Sequence, residues 1–340
     1  MPVDLIIAGA GPAGLATALH AVATGMSVVV REPREGVIDK ACGEGVMPAG
    51  IAHLERLGVH PNGQDLKGVR YCAPGWQAEA HFLGPPGRGV RRTELHRALL
   101  RATREAGIPI EQTRVRAVES QARGVVVDGT VAGYLVLADG LHSPGRRMLG
   151  LDRPTRGPGR YGLRQHVRLA PWTDHVEVHW SAHAEAYVTP VAEDEVGIAI
   201  LTSRRAPYEI QLAEFTDLRA RLAGAPPASS VRGAGPLRQH ARRRVAGRVL
   251  LVGDAGGYID AITGEGVSLS LAQAQGAIEA IGQERPGRYE RTWRRIVRRH
   301  SILTRALVVA GASPLRPHLV PAAQRLPWLF SAAVNEVGRT

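Results

Sequence analysis

Three glycines near the N-terminus have the spacing of a loop that binds the phosphates of a dinucleotide. Gly9, Gly11 and Gly14 form a G-x-G-x-x-G motif, with Pro12 and Ala13 between the last two glycines. In this motif the first glycine permits a tight turn, the second lets the backbone approach a pyrophosphate, and the third lets the following helix pack closely on its strand. The N–H groups at the start of that helix attract the phosphate charge. The motif therefore predicts a dinucleotide cofactor.

An acidic residue follows the glycine motif at the end of the next predicted strand. Glu32 stands where a carboxylate can accept hydrogen bonds from the two hydroxyl groups of a ribose. The motif and this acid together indicate dinucleotide binding, but they do not distinguish NAD from FAD.

A second glycine-rich turn, within residues 252–274, bears on that choice. It places Gly253, Asp254, Gly264 and Gly266 between an apolar strand and a helix. The aspartate could accept hydrogen bonds from a polyhydroxyl chain, and the helix could direct its N–H groups at an anion. FAD offers both features, in its ribityl chain and its isoalloxazine edge, whereas NAD has no use for a second turn of this kind. We therefore expect FAD.

Two further segments complete a set of four. Asp139 and Gly140 follow another apolar strand, and Arg92 opens a predicted helix in which Leu95 and Leu99 share one face. In order and spacing, the four segments together resemble the flavoprotein family of p-hydroxybenzoate hydroxylase and geranylgeranyl reductase. The resemblance covers most of residues 3–285.

The resemblance implies FAD bound in an extended form, and it assigns a role to particular residues. They are Gly9, Gly11, Pro12, Ala13 and Gly14 at the pyrophosphate, Glu32 at the adenosine ribose, Arg92 beside the phosphates, Val115 in a strand beside adenine, Asp139 and Gly140 in the family's middle motif, Gly253 and Asp254 at the ribityl chain, Gly264 and Gly266 at the isoalloxazine edge, and Cys42 and Gly43 in a loop against the flavin. Because no second G-x-G-x-x-G motif is present, NAD(P)H is expected to dock only transiently as the reductant.

Three residues are candidates for a catalytic role beside the flavin. Cys42 matches the cysteine of a loop that geranylgeranyl reductases place against the flavin, and Glu44 and Tyr258 are candidate residues of the same pocket. Cys42 could donate a proton if its pKa were suitable, or it could simply be a small side chain that fits a tight loop.

The resemblance leaves the reaction open. Where the reductases carry an aromatic motif before a proline, this chain has EAYVTP at residues 185–190, which argues against a prenyl substrate. We therefore expect a single-component monooxygenase that uses NAD(P)H and O₂ to hydroxylate or epoxidise a lipophilic, phenolic or polyketide-like small molecule. A C=C reductase resembling geranylgeranyl reductase is the alternative, and a non-catalytic flavin-binding or electron-transfer protein is an alternative of another class.

The sequence predicts two kinds of structure around the candidate residues, a strand–helix–strand unit and an antiparallel sheet. The N-terminal segment predicts strand, helix, strand, whereas residues 68–84 predict a hairpin and residues 160–201 alternate like antiparallel strands. We predict a mixed α/β fold with a Rossmann-like FAD-binding domain and parallel sheet (1–65, 85–159 and 235–285), an antiparallel-sheet substrate domain (66–84 and 160–234) and a C-terminal helical tail (286–340).

The composition limits the binding partners and the cellular compartment that can be expected for this chain. The net charge of +12 comes from 43 basic residues, of which only Lys40 and Lys67 are lysines. The arginine runs lack interleaved aromatic residues, so nucleic acid is not expected as a partner. Cys42 and Cys72 form no C-x-x-C pair and suit a reducing cytoplasm. No apolar stretch approaches the ~20 residues of a membrane span, so we expect a cytoplasmic protein whose arginines allow peripheral membrane or carrier-protein contact.

One set of residues resembles a metal site. His175, Glu177 and His179 alternate along one predicted strand and are the residue types of a 2-His-1-carboxylate iron site. Val176 and Val178 occupy the opposite face, so the polar face is expected to be the solvent side of a half-buried strand. We therefore expect no metal.

Overall fold

The computed structural model describes residues 3–155 and 159–339. Residues 1, 2, 156–158 and 340, which fall within the predicted domain ranges, lie outside the described residues.

The strands, in chain order, are Val3–Ala8 (β1), Val28–Arg31 (β2), Gly45–Val46 (β3), Gln64–Leu66 (β4), Gly68–Ala73 (β5), Trp76–His81 (β6), Gly87–Gly89 (β7), Ile110–Glu111 (β8), Val118–Gln121 (β9), Gly124–Val127 (β10), Thr130–Leu137 (β11), Asp152–Arg153 (β12), Tyr161–Arg168 (β13), His175–Trp180 (β14), Ala184–Ala192 (β15), Glu195–Thr202 (β16), Arg232–Ala234 (β17), Gln239–Ala241 (β18), Val245–Ala246 (β19), Val249–Leu251 (β20) and Gly257–Tyr258 (β21). The α-helices are Pro12–Ala23 (α1), Pro48–Arg56 (α2), Arg92–Glu105 (α3), Pro144–Met148 (α4), Tyr208–Leu212 (α5), Thr216–Arg221 (α6), Gly266–Gly282 (α7), Arg288–Gly311 (α8), Leu319–Arg325 (α9) and Pro327–Gly338 (α10).

The first sheet has a parallel centre. Strands β20, β11, β1, β2 and β8 lie side by side and all pair in parallel, with β19 antiparallel at one edge and β10 and β9 branching from β11. Leu5, Ile6 and Ile7 of β1 are fully buried, because both faces of a parallel sheet are covered. Helices α1, α3 and α7 supply the apolar residues that cover one of these faces. The predicted Rossmann-like fold is confirmed.

The second sheet has the order β17-β13-β16-β15-β14-β5-β6. Its pairs are antiparallel, as predicted, except that β14 and β5 pair in parallel. Parallel neighbours need a long connection, and here the chain passes through the first sheet between the two strands. The hairpin β5–β6 thereby joins the strands of residues 161–202 in one sheet.

The two faces of the second sheet have different neighbours. Tyr208 of α5 and Leu218 of α6, with Phe215 between the two helices, pack on one face of β13, β15 and β16. The C-terminal helices lie on the other face, where α9 and α10 contact β6. The tail is therefore helical, as predicted. Over residues 3–155 and 159–339, none of the helices has both the length and the apolar composition needed to cross a bilayer.

Candidate active site

The first glycine loop needs glycine at two positions for steric reasons. Gly9 has φ +105°, and a Cβ on it would lie 2.5 Å from the carbonyl oxygen of Ala138. A Cβ on Gly14 would lie 1.9 Å from the carbonyl oxygen of Gly9. The tight turn and the close packing of α1 on β1 therefore both require glycine. Gly11 differs, because a Cβ there would meet nothing within 4 Å, and its backbone lines a cavity.

The structure brings the sequence motifs together around this cavity, which has a volume of about 1200 Å³. A Cβ on Gly253 would lie 2.8 Å from the Cβ of Ala13, so the second glycine turn contacts the first. The predicted residues that line the cavity are Gly11, Pro12, Ala13, Cys42, Gly43, Glu44, Arg92, Asp139, Gly140, Gly253, Asp254, Tyr258, Gly264 and Gly266.

Four predicted cofactor residues are not among those that line the cavity: Gly9, Gly14, Glu32 and Val115. The strand predicted around Val115 is wrong. This residue lies in the loop between β8 and β9, where its side chain packs beneath the first sheet at 8% exposure. The strand at this position was implied by the resemblance alone, and the local pattern of residues did not establish it.

Glu32 lies directly behind the first glycine loop. Its carboxylate is 3% exposed and accepts hydrogen bonds from the backbone N–H of Ala10, at 3.0 Å, and from the guanidinium of Arg34, at 2.7 Å. Burial raises the pKa of Glu32, but these hydrogen bonds outweigh it and hold the pKa below its usual value. The carboxylate is therefore ionised and fixed at the edge of the loop.

Three buried polar atoms of cavity-lining residues have no hydrogen-bond partner among the described residues. They are Nη1 of Arg92, a residue that is 6% exposed, Oδ1 of Asp139 and Nε of Arg164. The other carboxylate oxygen of Asp139 accepts a hydrogen bond from the N–H of Gly145 at the start of α4. A buried cation beside an open glycine backbone fits a diphosphate, so the residues present fit FAD.

The segment of residues 40–44, here called the cysteine loop, is tied down by the side chain of Glu44. Glu44 has φ +62°, an uncommon conformation for a residue with a side chain. Its carboxylate accepts a hydrogen bond from the backbone N–H of Arg92 at 2.8 Å and lies 2.6 Å from Nε2 of His166. The N–H of Glu44 in turn donates to Sγ of Cys42 at 3.3 Å. Burial, followed by the charge of Glu44, raises the pKa of Cys42, so its sulfur is a protonated thiol at neutral pH.

His166 was missed by sequence reasoning. It lies on β13, 122 residues from Glu44, and nothing in its local sequence distinguishes it from other strand histidines. Lys40 was also missed, although it lines the cavity near Gly140 and is one of only two lysines. Burial raises the pKa of Asp254, and the positive charges of Lys40 and Arg92 oppose that shift.

The cavity continues beyond the glycine turns as an apolar chamber. One side is the second sheet, with Val69 and Tyr71 of β5 and Val176 and Val178 of β14. The other side is formed by the C-terminal helices, which contribute side chains such as Leu307 of α8. The cysteine loop adjoins this chamber, because a Cβ on the next residue, Gly45, would lie 3.3 Å from Val176.

The expected exposure of His175, Glu177 and His179 is wrong for the first two, each of which is 2% exposed. Glu177 is covered by Arg70 and Trp172, which donate hydrogen bonds to its carboxylate at 2.9 and 3.1 Å. His179 Nε2 lies 3.1 Å from the same carboxylate, whereas His175 Nε2 points away from it, towards β6. The three residues therefore do not converge on one point.

Known proteins resemble this chain in both sequence and fold. The model of a family described as "FAD binding domain" matches residues 2–283. A menaquinone reductase of Mycobacterium tuberculosis is 29% identical over 82% of this chain and 76% of its own length. A digeranylgeranylglycerophospholipid reductase of Methanothermobacter thermautotrophicus is 26% identical over 86% of this chain and 82% of its own length. The structure of the flavin-dependent brominase Bmp2 has a TM-score of 0.77 and 17% identity, covering 100% of this chain and 94% of that one, and this likeness concerns the fold alone.

Proposed function

The chain belongs to the FAD-binding domain family and is an FAD-dependent oxidoreductase, and from this premise we propose that it reduces carbon–carbon double bonds in the prenyl chain of a lipid. The similar curated proteins carry the names of reductases, which favours the reductase alternative over the monooxygenase preferred from sequence. NAD(P)H remains the proposed reductant.

The apolar chamber is the observation that carries this proposal. It extends from the cysteine loop between β5 and β14 on one side and α8, α9 and α10 on the other. A site of this shape and polarity suits a long hydrocarbon chain, which gains free energy from apolar burial along its whole length. A small phenolic substrate would fill only part of it.

The structure also weakens the argument against a prenyl substrate that residues 185–190 provided. Tyr187 still lines the chamber and donates a hydrogen bond to the carbonyl of Ile262 at 2.7 Å. Glu185 is not among the cavity-lining residues, and its carboxylate is paired with Arg160 and with Arg316. The charge at this position therefore does not oppose an apolar chain.

Each group around the cavity has a proposed task. The first glycine loop and Arg92 would hold the pyrophosphate, and Asp254 the ribityl chain. Reduced FAD held by these residues would provide the hydride that one carbon of the double bond needs. The second carbon needs a proton, and the protonated thiol of Cys42 can provide it. The chamber orients the alkene and excludes water.

The decisive experiment uses FAD-loaded protein reduced without oxygen. A geranylgeranyl lipid is added, and the same lipid with a fully saturated chain is the matched control. We expect only the unsaturated lipid to reoxidise the flavin, with a product that has gained two hydrogen atoms by mass spectrometry. A product that carries an oxygen atom, formed only after air is admitted, would instead establish the monooxygenase.

We further propose that the protein is cytoplasmic and takes its substrate from a lipid surface through the C-terminal helices. Leu326 and Leu329 line the cavity and are 42% and 49% exposed, and Trp328 between them is 70% exposed. Arg325 lies beside this patch. Apolar side chains flanked by basic ones are typical of surfaces that bind anionic membranes.

Flotation with anionic phospholipid vesicles tests this contact. We expect the wild type to float with the vesicles, and Trp328→Glu to remain behind while retaining FAD. Ile210→Glu is the matched control, because Ile210 is an equally exposed apolar residue, at 63%, on α5 of the opposite face. Binding to an acidic carrier protein and to no vesicle would refute the membrane contact.

A further inference from the structure

Two histidines lie close together on the face of the second sheet that points away from the cavity, here called the outer face. In the register of neighbouring strands, His175 of β14 lies opposite Gly68 of β5, and Gly68 lies opposite His81 of β6. Because Gly68 has no side chain, the two imidazoles come into edge-to-face contact across the middle strand, with ring centroids 4.9 Å apart. Glu79 precedes His81 by two residues and therefore points to the same face.

We propose that Glu79, His81 and His175 form a binding site for a divalent transition-metal ion, and that Zn²⁺ fits its donor set best. Oε1 of Glu79 lies 3.2 Å from Nε2 of His81 and 3.6 Å from Nε2 of His175. Tetrahedral bonds of about 2.0–2.1 Å place two ligand atoms about 3.4 Å apart, so these donors are already at coordination spacing. Three protein ligands leave one position for water.

The buried histidine is oriented as a metal ligand. His175 is 2% exposed, and its Nε2 is buried without a hydrogen-bond partner among the described residues. Its Nδ1 donates to Oδ1 of Asp174 at 2.6 Å, and Asp174 is itself held by Lys67 at 2.9 Å. A carboxylate behind the imidazole is the usual arrangement in metal sites, because it fixes the tautomer whose Nε2 lone pair faces the ion.

The carboxylate ligand is oriented in the same way. Arg70 donates to Oε2 of Glu79 at 2.8 Å, which leaves Oε1 towards the two histidines. Arg70 also donates to Glu177, so its own charge is balanced by two carboxylates. His81 is 64% exposed, so an ion can enter from solvent.

A neighbouring cluster of similar residues provides a built-in comparison. Cys72, Glu177 and His179 also lie close together on this face. However, Glu177 already accepts hydrogen bonds from Arg70, Trp172 and His179, so it has little capacity left for a metal. The proposed ion therefore belongs to the first cluster.

The position of the site indicates what the ion does. Its ligands come from β6, the edge strand, and from β14, so a bound ion would link these two strands across β5, which lies between them. Val69 and Val176, on the opposite face of the same strands, line the cavity. The ion would therefore stabilise one side of the chamber without touching the flavin.

Calorimetric titration of tag-free, chelator-treated, FAD-loaded protein with Zn²⁺ tests the proposal. We expect about one ion per chain and a higher Tm with zinc. His81→Ala and Glu79→Gln should weaken binding by about ten-fold or more and abolish the rise in Tm, and Asp174→Asn should weaken binding about ten-fold. Because His81 is exposed, His81→Ala is expected to fold even if variants of His175 do not.

His179→Gln and Cys72→Ser are the controls, because each removes a potential metal ligand from the neighbouring cluster on the same face. We expect both to bind zinc like the wild type. The proposal is overturned if the wild type shows no saturable binding, if binding survives both His81→Ala and Glu79→Gln, or if it is lost in either control.

Discussion

Glu44 and His166 form a fully buried pair that fastens the cysteine loop to the second sheet. Oε2 of Glu44 lies 2.6 Å from Nε2 of His166, and both side chains are 1% exposed. His166 in turn has Ser229 Oγ 2.8 Å from its Nδ1. The loop that carries Cys42 is therefore positioned by β13 rather than by its own sequence neighbours.

Substitution of Glu44 should separate the effect of this pair from the effect of backbone strain. Glu44→Ala leaves Nε2 of His166 and the backbone N–H of Arg92 without the carboxylate that they contact, and each buried polar group left in this way should lower the free energy of unfolding by about 1–3 kcal/mol. Glu44→Gly loses the same contacts but removes the cost of φ +62°, so it should be about 1 kcal/mol more stable than the alanine variant. Urea unfolding measures both. Equal stability of the two variants would show that the backbone is unstrained.

Arg92 should contribute to cofactor affinity mainly through the phosphates. Because its buried Nη1 has no partner among the described residues, Arg92→Ala should weaken FAD binding by about 10- to 100-fold. Riboflavin, which lacks the phosphates, should bind the variant and the wild type equally in fluorescence titrations. Arg97→Ala is the control, because Arg97 lies on the same helix but is 55% exposed. An equal loss for riboflavin and FAD would contradict the assignment.

Cys42 should behave as a proton donor rather than a nucleophile. Burial raises the pKa of its thiol, so in a Cys72→Ser background alkylation should stay slow until the pH exceeds the usual thiol pKa of about 8.5. Cys42→Ala should keep FAD and its reduction by NADPH, yet slow alkene reduction by about 100-fold. Fast alkylation at neutral pH, or unchanged alkene turnover, would rule out this role.

His96 should make stability depend on pH. It is fully buried, its Nδ1 accepts from the N–H of Ile38 at 3.0 Å, and its Nε2 donates to the carbonyl of Ala10 at 2.7 Å. Burial lowers its pKa to about 4. Because the unfolded chain takes up this proton at about pH 6.5, the stabilisation is complete above that pH and declines as the pH falls towards 4.

The pH effect of His96 is measured as the difference in free energy of unfolding between the wild type and His96→Gln. We expect this difference to shrink as the pH falls from about 6.5 to about 4. Other titrating groups are present in both proteins and cancel in the difference. A constant difference over this range would mean that the histidine is not held neutral.

Filling the apolar chamber should shorten the chain that the enzyme accepts. Ala199 of β16 lines the cavity and is 9% exposed. Ala199→Phe should retain FAD but lower kcat/KM for the longest prenyl chains by about ten-fold or more, with a smaller effect on short ones. Ala220→Phe, on an exposed position of α6, is the control. Equal loss at every chain length would place the substrate elsewhere.

The sequence predicted those features that arise from local chain geometry. The steric need for glycine at positions 9 and 14 could be predicted, because a tight turn and a close helix contact leave no space for a Cβ. The features that were missed depend on pairing between distant segments. Glu44 meets His166 across 122 residues, and the burial of Glu177 depends on Arg70, which is 107 residues away. No local pattern encodes such contacts, and they determine how the cysteine loop and the outer face of the second sheet are built.

The parallel pairing of β5 with β14 delays part of the folding of this protein during its synthesis. The free hydrogen-bonding edge of β5 has no partner strand until β14 has been made. Strand β14 ends at residue 180, about 100 residues after the hairpin β5–β6. At a synthesis rate of about 5–20 residues per second that delay is on the order of ten seconds, far longer than a hairpin needs to form. The nascent hairpin must therefore wait with an unpaired edge, and an unpaired strand edge is open to aggregation during that time.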